Sequence, residues 1–256
     1  MSKAKNSESK TSMTKRQMIK ERRRQQQRRQ RLSLIAIVAA VALGIAALLI
    51  VPGILEASKP VGEFVRITPT TWPMVKGSAL GDPNAPVIIE VWEDFQCPAC
   101  QTYTREIEPL VIQEYIPTGQ VYYVFRQFPF LDDNAATKES DQAANASMCA
   151  AEQERFWDYH NILFANWNGE NLGAFSNRRL VAFAESLELD MPKFNACFKE
   201  NRYKAEIAKD LSDGRQAGVQ GTPSIFLNGE LLTPGRVPQM GDIKRAVEAA
   251  LAGSGN

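Results

Sequence analysis

Histidine is almost absent from this chain of 256 residues: there is one, His160, beside four cysteines. A zinc site takes about four Cys or His ligands at close spacing. Only one close pair exists, Cys97 and Cys100, with no second CxxC and no HxxxH. Nucleotide and flavin motifs and internal repeats are absent too, so neither a metal nor a cofactor is expected. Acidic residues are scarce at the start. Residues 1–32 hold twelve Lys and Arg against Glu8 and Glu21, a local charge of +10, whereas the remaining 18 bases and 27 acids leave −9. The net +1 hides this division, which places the two ends of the chain in different surroundings.

Charge then disappears from Leu32 to Leu55, where Ser33 is the one clearly polar side chain. These 24 residues would reach about 36 Å as a helix, enough for a hydrocarbon core of about 30 Å. A transmembrane anchor over 32–55 is expected, in contact with membrane lipids. The basic run before it marks residues 1–31 as a cytoplasmic tail and puts everything beyond outside the cytoplasm. A cleaved signal peptide has a shorter apolar region and a small-x-small site. Leu55-Glu56-Ala57 matches that poorly, so the anchor stays. Against the span, the basic run reads as a topology signal, and no nucleic-acid partner is expected. Residues 56–79 carry Pro60, Pro69 and Pro73 without sustained periodicity and read as a linker. Trp72 is a candidate to dock on the domain that follows.

Residues 80–256 form that domain. PVIIEVWEDF (86–95) is a β-branched and aromatic strand after a turn. A helix follows at once, with Tyr103, Ile107, Leu110, Val111 and Tyr115 near helical spacing. Pro98 suits its first turn, and Pro109 should kink it. GQVYYVFRQFPF (119–130) is a second strand. A helical block runs over about 134–218, with breaks at 168–171 and 190–192. GVQGTPSIFLNGELL gives a hairpin about Asn228-Gly229, and a closing helix ends on glycine. The expected class is α/β: a small sheet covered by helices, with a helical subdomain inserted at about 134–218.

The close pair therefore sits between a strand and a helix. With a helix starting at Pro98, Cys97 lies at its N-terminus, where unpaired backbone donors and the helix dipole favour a thiolate. A lowered pKa makes a cysteine an attacking and a leaving group in thiol–disulfide exchange. Cys100, one turn on, can resolve a mixed disulfide. A purely structural staple across two residues would constrain the unfolded chain little.

EVWEDFQCPAC, then RQFPF, then AANASMCAAEQERFWDYHNILF, then GVQGTPSIFLNG, together resemble the DsbA-like branch of the thioredoxin superfamily over about residues 80–252. The resemblance implies a thioredoxin-like fold with a helical insertion and thiol:disulfide oxidoreductase activity. Its partners would be reduced exported polypeptides and an integral-membrane redox protein. It implies Cys97 as nucleophile and Cys100 as resolving thiol, with Pro98 and Ala99 between them. Pro223 falls where the family has a cis-proline, and Thr222 where backbone pairs with bound peptide. Two features depart from the family. Pro98-Ala99 brings no histidine to the thiolate, and Val91 stands six places before Cys97, where an acid is common, with Glu90 and Glu93 beside it. The direction expected is disulfide donation; a reductase or isomerase of the same fold, or a peptide-holding chaperone with an inert disulfide, are the alternatives.

Glu93 and Asp94 read as solvated strand-end charges. Cys149 and Cys197 read as a structural disulfide outside the cytoplasm, against two buried free thiols. His160, amid Phe156, Trp157, Leu163 and Phe164, reads as a helix-packing histidine and not a catalytic base.

Overall fold

The computed structural model describes residues 15–58, 61–133 and 135–253. The first fourteen residues of the basic tail, the linker positions 59–60 and residue 134 at the start of the helical block lie outside the described residues. The chain divides into two units, Met1–Pro60 and Val61–Asn256. In the first, helix α1, Lys15–Ser58, runs through the basic run and the apolar run without interruption. Its stretch Met18–Pro52 contains an 18-residue window of mean hydropathy 3.1 and is long and apolar enough to cross a membrane.

The second unit is built on a five-stranded sheet of order β1-β3-β2-β4-β5. The strands are β1 Ala79–Leu80, β2 Val87–Glu93, β3 Val121–Gln127, β4 Ser224–Leu227 and β5 Glu230–Thr233. β2 and β3 pair in parallel, from Val87 opposite Val121 to Glu93 opposite Gln127. β1, β4 and β5 join antiparallel. The tight turn into β5 uses positive φ at Asn228 and Gly229, as the Asn-Gly pair requires. β2 is central and covered on both faces, so its buried residues do not simply alternate. Val87, Ile89, Val91 and Glu93 share one face, toward the main core. Trp92 points the other way, to a smaller cluster with Phe128, Val219 and Phe226.

Two helices cover the β2–β3 crossover, α2 Pro98–Glu106 and α3 Glu108–Tyr115. The expected kink is a full break at Ile107. Pro109 has no N–H to offer the preceding turn, and α3 begins anew at Glu108. Of the apolar positions expected to face inward here, Leu110 is the one that does not. Tyr103, Val111 and Tyr115 face inward, but Leu110 is 46% exposed and Glu108 is buried in its place. The insertion holds α4 Glu139–Ala151, α5 Phe156–Ala165, α6 Asn177–Ser186, α7 Met191–Glu200 and α8 Lys204–Gln216. Asp190 caps α7, its carboxylate accepting from Lys193 N at 3.2 Å. α9, Met240–Gly253, closes the unit.

Residues 61–78, read as part of a linker, are a strap packed on the domain. Phe64, Ile67, Trp72 and Val75 rest against the main core, so a free tether would have left four apolar side chains in water. Val65 pairs both backbone groups with the Asn166 side chain at 2.7 and 2.8 Å. The buried Asp158 carboxylate accepts from Thr70 N at 2.9 Å and Trp72 Nε1 at 3.1 Å. Arg155 holds the same carboxylate at 2.7 Å. Trp72→Ala is expected to release this strap. Trypsin should cut at Arg66 faster than in the parent, while the domain loses less than the ~3–5 kcal/mol typical of a core Trp. Unchanged cleavage would show that the other anchors suffice.

Candidate active site

β2 delivers the chain to the site. After Glu93 it turns through Asp94 to Gln96, with Cys97 N donating to Asp94 O at 3.0 Å. Cys97 is the extended N-cap residue of α2, and Pro98 occupies the first turn, where no donor is required. Both thiols are free: Cys97 retains 6% exposure and Cys100 none. The hydrogen bond from Cys100 does most to pull Cys97 down to about 6; burial opposes it, and Thr222 and the N–H groups of Cys100 and Ala99 help. Burial pushes the Cys100 thiol well up, and its bond to Cys97 adds to that. The helix start thus separates one cysteine poised as thiolate from one held as thiol.

Thr222 and Pro223 close the site from the far end of the chain. The Thr222–Pro223 bond is cis, and Thr222 O accepts from Cys97 Sγ at 3.3 Å. All six positions read from the sequence around the pair, Cys97, Pro98, Ala99, Cys100, Thr222 and Pro223, therefore meet at one place. Cys149 and Cys197 do not join them. They form a disulfide, Cα–Cα 5.8 Å, that ties α4 to α7. These two sulfurs are committed to each other and stand apart from Cys97 and Cys100.

The expectation of solvated charges at Glu93 and Asp94 is wrong for both: they are 0% and 1% exposed. Asp94 is held by acceptor duty. Its carboxylate takes Gln96 N at 2.8 Å, Leu131 N at 3.0 Å and the Ser140 hydroxyl at 2.6 Å. Burial pushes it up to about 7 despite these bonds. The Gln96 side chain adds Ser140 at 2.8 Å and Asn171 N at 2.6 Å, and Trp167 Nε1 donates to Gln96 O at 2.6 Å. The helical insertion therefore clamps the turn that carries Cys97.

Glu93 faces the core because it continues the parity of Val87, Ile89 and Val91. That parity was the signal in the sequence for an inward acid. Its carboxyl lies beside Cys100, close enough for each to act on the other's titration, and burial first, then the neighbouring Glu108, pushes it well above the usual range. Glu93 is thus an inward acid two residues beyond Val91 on the same strand. Around it lie Glu108 and His160, one donor or acceptor atom of each within 4.8 Å of the others. Tyr123 donates to Glu108 at 3.0 Å and shares a 3.0 Å bond with Tyr103. Burial drives His160 down to about 4, so it is neutral at pH 7, packed against Phe164, Trp157 and Phe125 at 4.9–5.3 Å.

A dithiol at a helix start, facing a cis-proline loop beneath a central strand, matches a known family profile, described as Thioredoxin, over residues 74–247. The chain belongs to the thioredoxin family. Within it, this thioredoxin-family chain is 28% identical to the probable disulfide bond formation protein D of Bacillus cereus over 177 residues, 68% of this chain and 78% of that protein. It is 27% identical to disulfide bond formation protein D of Bacillus subtilis over 188 residues, 71% and 80% of the two chains. The oxidised crystal structure of BdbD from Bacillus subtilis superposes with TM-score 0.60 at 22% identity, covering 75% of this chain and all of that one. The fold is thus the DsbA-like thioredoxin fold, and the activity is that of a thiol:disulfide oxidoreductase.

Proposed function

We propose that this oxidoreductase donates disulfides to reduced exported polypeptides, held to the membrane by residues 32–55 with its N-terminus in the cytoplasm. Cys97 receives the attack of a substrate thiolate, and Cys100 leaves. A second substrate thiolate then releases Cys97. Glu93, buried beside Cys100, supplies the proton that the departing sulfur needs. An integral-membrane redox protein regenerates the disulfide. The relatives called disulfide bond formation protein D support this direction.

The carrying observation is the free Cys97 thiol at the N-cap of α2, facing Thr222 of the cis-proline loop, a setting that lowers its pKa to about 6, against about 8.5 for a free thiol. A lowered folded-state pKa stabilises the dithiol form. That stabilisation is complete above about pH 8.5 and fades as pH falls through about 6. At pH 7 it amounts to roughly 1.4 kcal/mol, or about 30 mV for a two-electron couple, in the oxidising direction. The test is equilibration of the full chain, in detergent, with glutathione buffers, with Cys149 and Cys197 followed separately by mass spectrometry. A potential approaching about −120 mV is expected of a donor. One near −270 mV, typical of a reductase, would overturn the direction. Cys100→Ser should in parallel trap mixed disulfides on Cys97 with exported proteins; their absence would remove the assigned roles.

A further inference from the structure

Cys100 has no exposed surface, so its proton cannot come directly from bulk water. Glu93 beside it is equally enclosed, and neither of its carboxyl oxygens has a hydrogen-bond partner among the described residues. A single transfer would exhaust it: once Glu93 has protonated Cys100, a buried anion is left with no counter-charge. The groups that act on the two carboxyls of Glu93 and Glu108 include no Lys or Arg.

Glu108 occupies the next position outward. It sits at the start of α3, 3% exposed, placed there by the break at Ile107. Its Oε1 accepts from Tyr123, and its Oε2 lies 3.7 Å from His160 Nε2, itself without a hydrogen-bond partner. Beyond it opens a cavity of about 520 Å³ between the strap and helices α2, α3 and α5, lined by Glu108, Thr104, Arg105, Trp72, Asn161 and Phe164 among others. Glu108 is thus the group shared by the enclosed cluster and the cavity.

We infer that Glu108 is the outer member of a two-carboxyl proton relay that links Cys100, through Glu93, to the cavity under the Trp72 strap. In the donating direction the substrate thiolate forms an S–S bond to Cys97 while the Cys97–Cys100 bond breaks. Cys100 takes the proton of Glu93, Glu93 takes that of Glu108, and Glu108 takes one from cavity water. Reoxidation runs the same path in reverse, and no external oxidant or reductant enters the proton steps. The groups facing Glu108 agree with this. They are Glu93 on β2, Tyr103 and Thr104 on α2, Tyr123 on β3 and His160 on α5, with Arg105 at the cavity. Burial raises Glu108 to about 8, so it holds its proton at pH 7, while His160 is neutral. Two buried carboxyls this close do not both ionise.

The relay rests on the assigned roles of Cys97 and Cys100. Its test is Glu108→Gln in the full chain, which keeps the shape and can accept from Tyr123 but has no proton to relay. Stopped-flow oxidation of a synthetic dithiol peptide should slow at least about tenfold at pH 7, with a changed pH profile. The Cys97 pKa, read from thiolate absorbance, should stay near its parent value. Glu93→Gln combined with Glu108→Gln should be no slower than Glu93→Gln alone. Parent rates and pH profile in a folded Glu108→Gln would overturn the relay. If that variant does not fold, infrared difference spectra of the parent decide between dithiol and disulfide states. Two carboxyl bands that respond to the redox change support the relay, and one refutes it. Turnover persisting in Cys97→Ser would instead refute the reading of the cysteine pair. Loss of turnover there with an unaffected Glu108→Gln refutes only the relay.

Discussion

Cys97→Ser is expected to reduce disulfide transfer below detection, because a serine oxygen can neither hold an S–S bond nor accept exchange. The effect should be total, whereas the acid–base tuning of the same residue contributes modestly. At pH 7 a thiol of pKa about 6 is about nine-tenths thiolate, against about 3% for one of 8.5. That is a gain of about 30-fold in reactive form. Intrinsic nucleophilicity falls by about 13-fold over the same shift, so the net advantage in attack is only about twofold. The lowered pKa therefore matters chiefly when Cys97 departs, since a more acidic thiol leaves faster. Alkylation of the reduced enzyme by iodoacetamide should follow the thiolate: half-maximal near pH 6, flat above about pH 7, and falling tenfold per unit below about pH 5. Turnover that survives Cys97→Ser, or an alkylation midpoint near 8.5, would sink the assignment.

Removing the other cysteine pair should leave the chemistry and damage the fold. The Cys149–Cys197 bond closes a loop with sequence separation 48, for which loop-closure entropy gives about 4 kcal/mol. That is a large share of the 5–15 kcal/mol that holds a domain folded. For a unit of this size it corresponds to about 8–16 °C in Tm. The bridge joins α4 and α7 on the insertion, both sulfurs fully buried, while the turn of Cys97 is clamped separately through Ser140 and Gln96. Cys149→Ala with Cys197→Ala should thus keep turnover at low temperature and the mixed-disulfide chemistry of Cys97. Thermal denaturation of the full chain is the check. A Tm within about 2 °C of the parent would mean that the bridge restrains nothing the core does not already fix.

Several elements were legible in the sequence because their causes are local. A CxxC with proline at the helix start requires only the strand before it and the amphipathic run after it. Asn228-Gly229 specifies its turn through positive φ, and the uncharged run from Leu32 specifies a helix long enough to cross a membrane. The pairing of Cys149 with Cys197 was suggested by compartment and number, and the structure places the two sulfurs together. What misled the reading was charge. Glu93 and Asp94 look like a solvated strand end, yet β2 is the central strand and its C-terminal end lies beneath the insertion.

Local pattern is enough to specify the reactive pair, its place at a strand–helix junction, the helical insertion and the apolar helix before the domain. Each follows from spacing, periodicity or composition within a few tens of residues. Packing sets which acid lies beside Cys100, brings Glu108 into the core in place of Leu110, and docks residues 61–78 as a strap. These depend on groups distant in sequence that become neighbours only on packing, such as Glu93, Glu108 and His160, or Trp72 and Asp158. Burial then sets their protonation, and no local pattern encodes how deeply a carboxyl is buried.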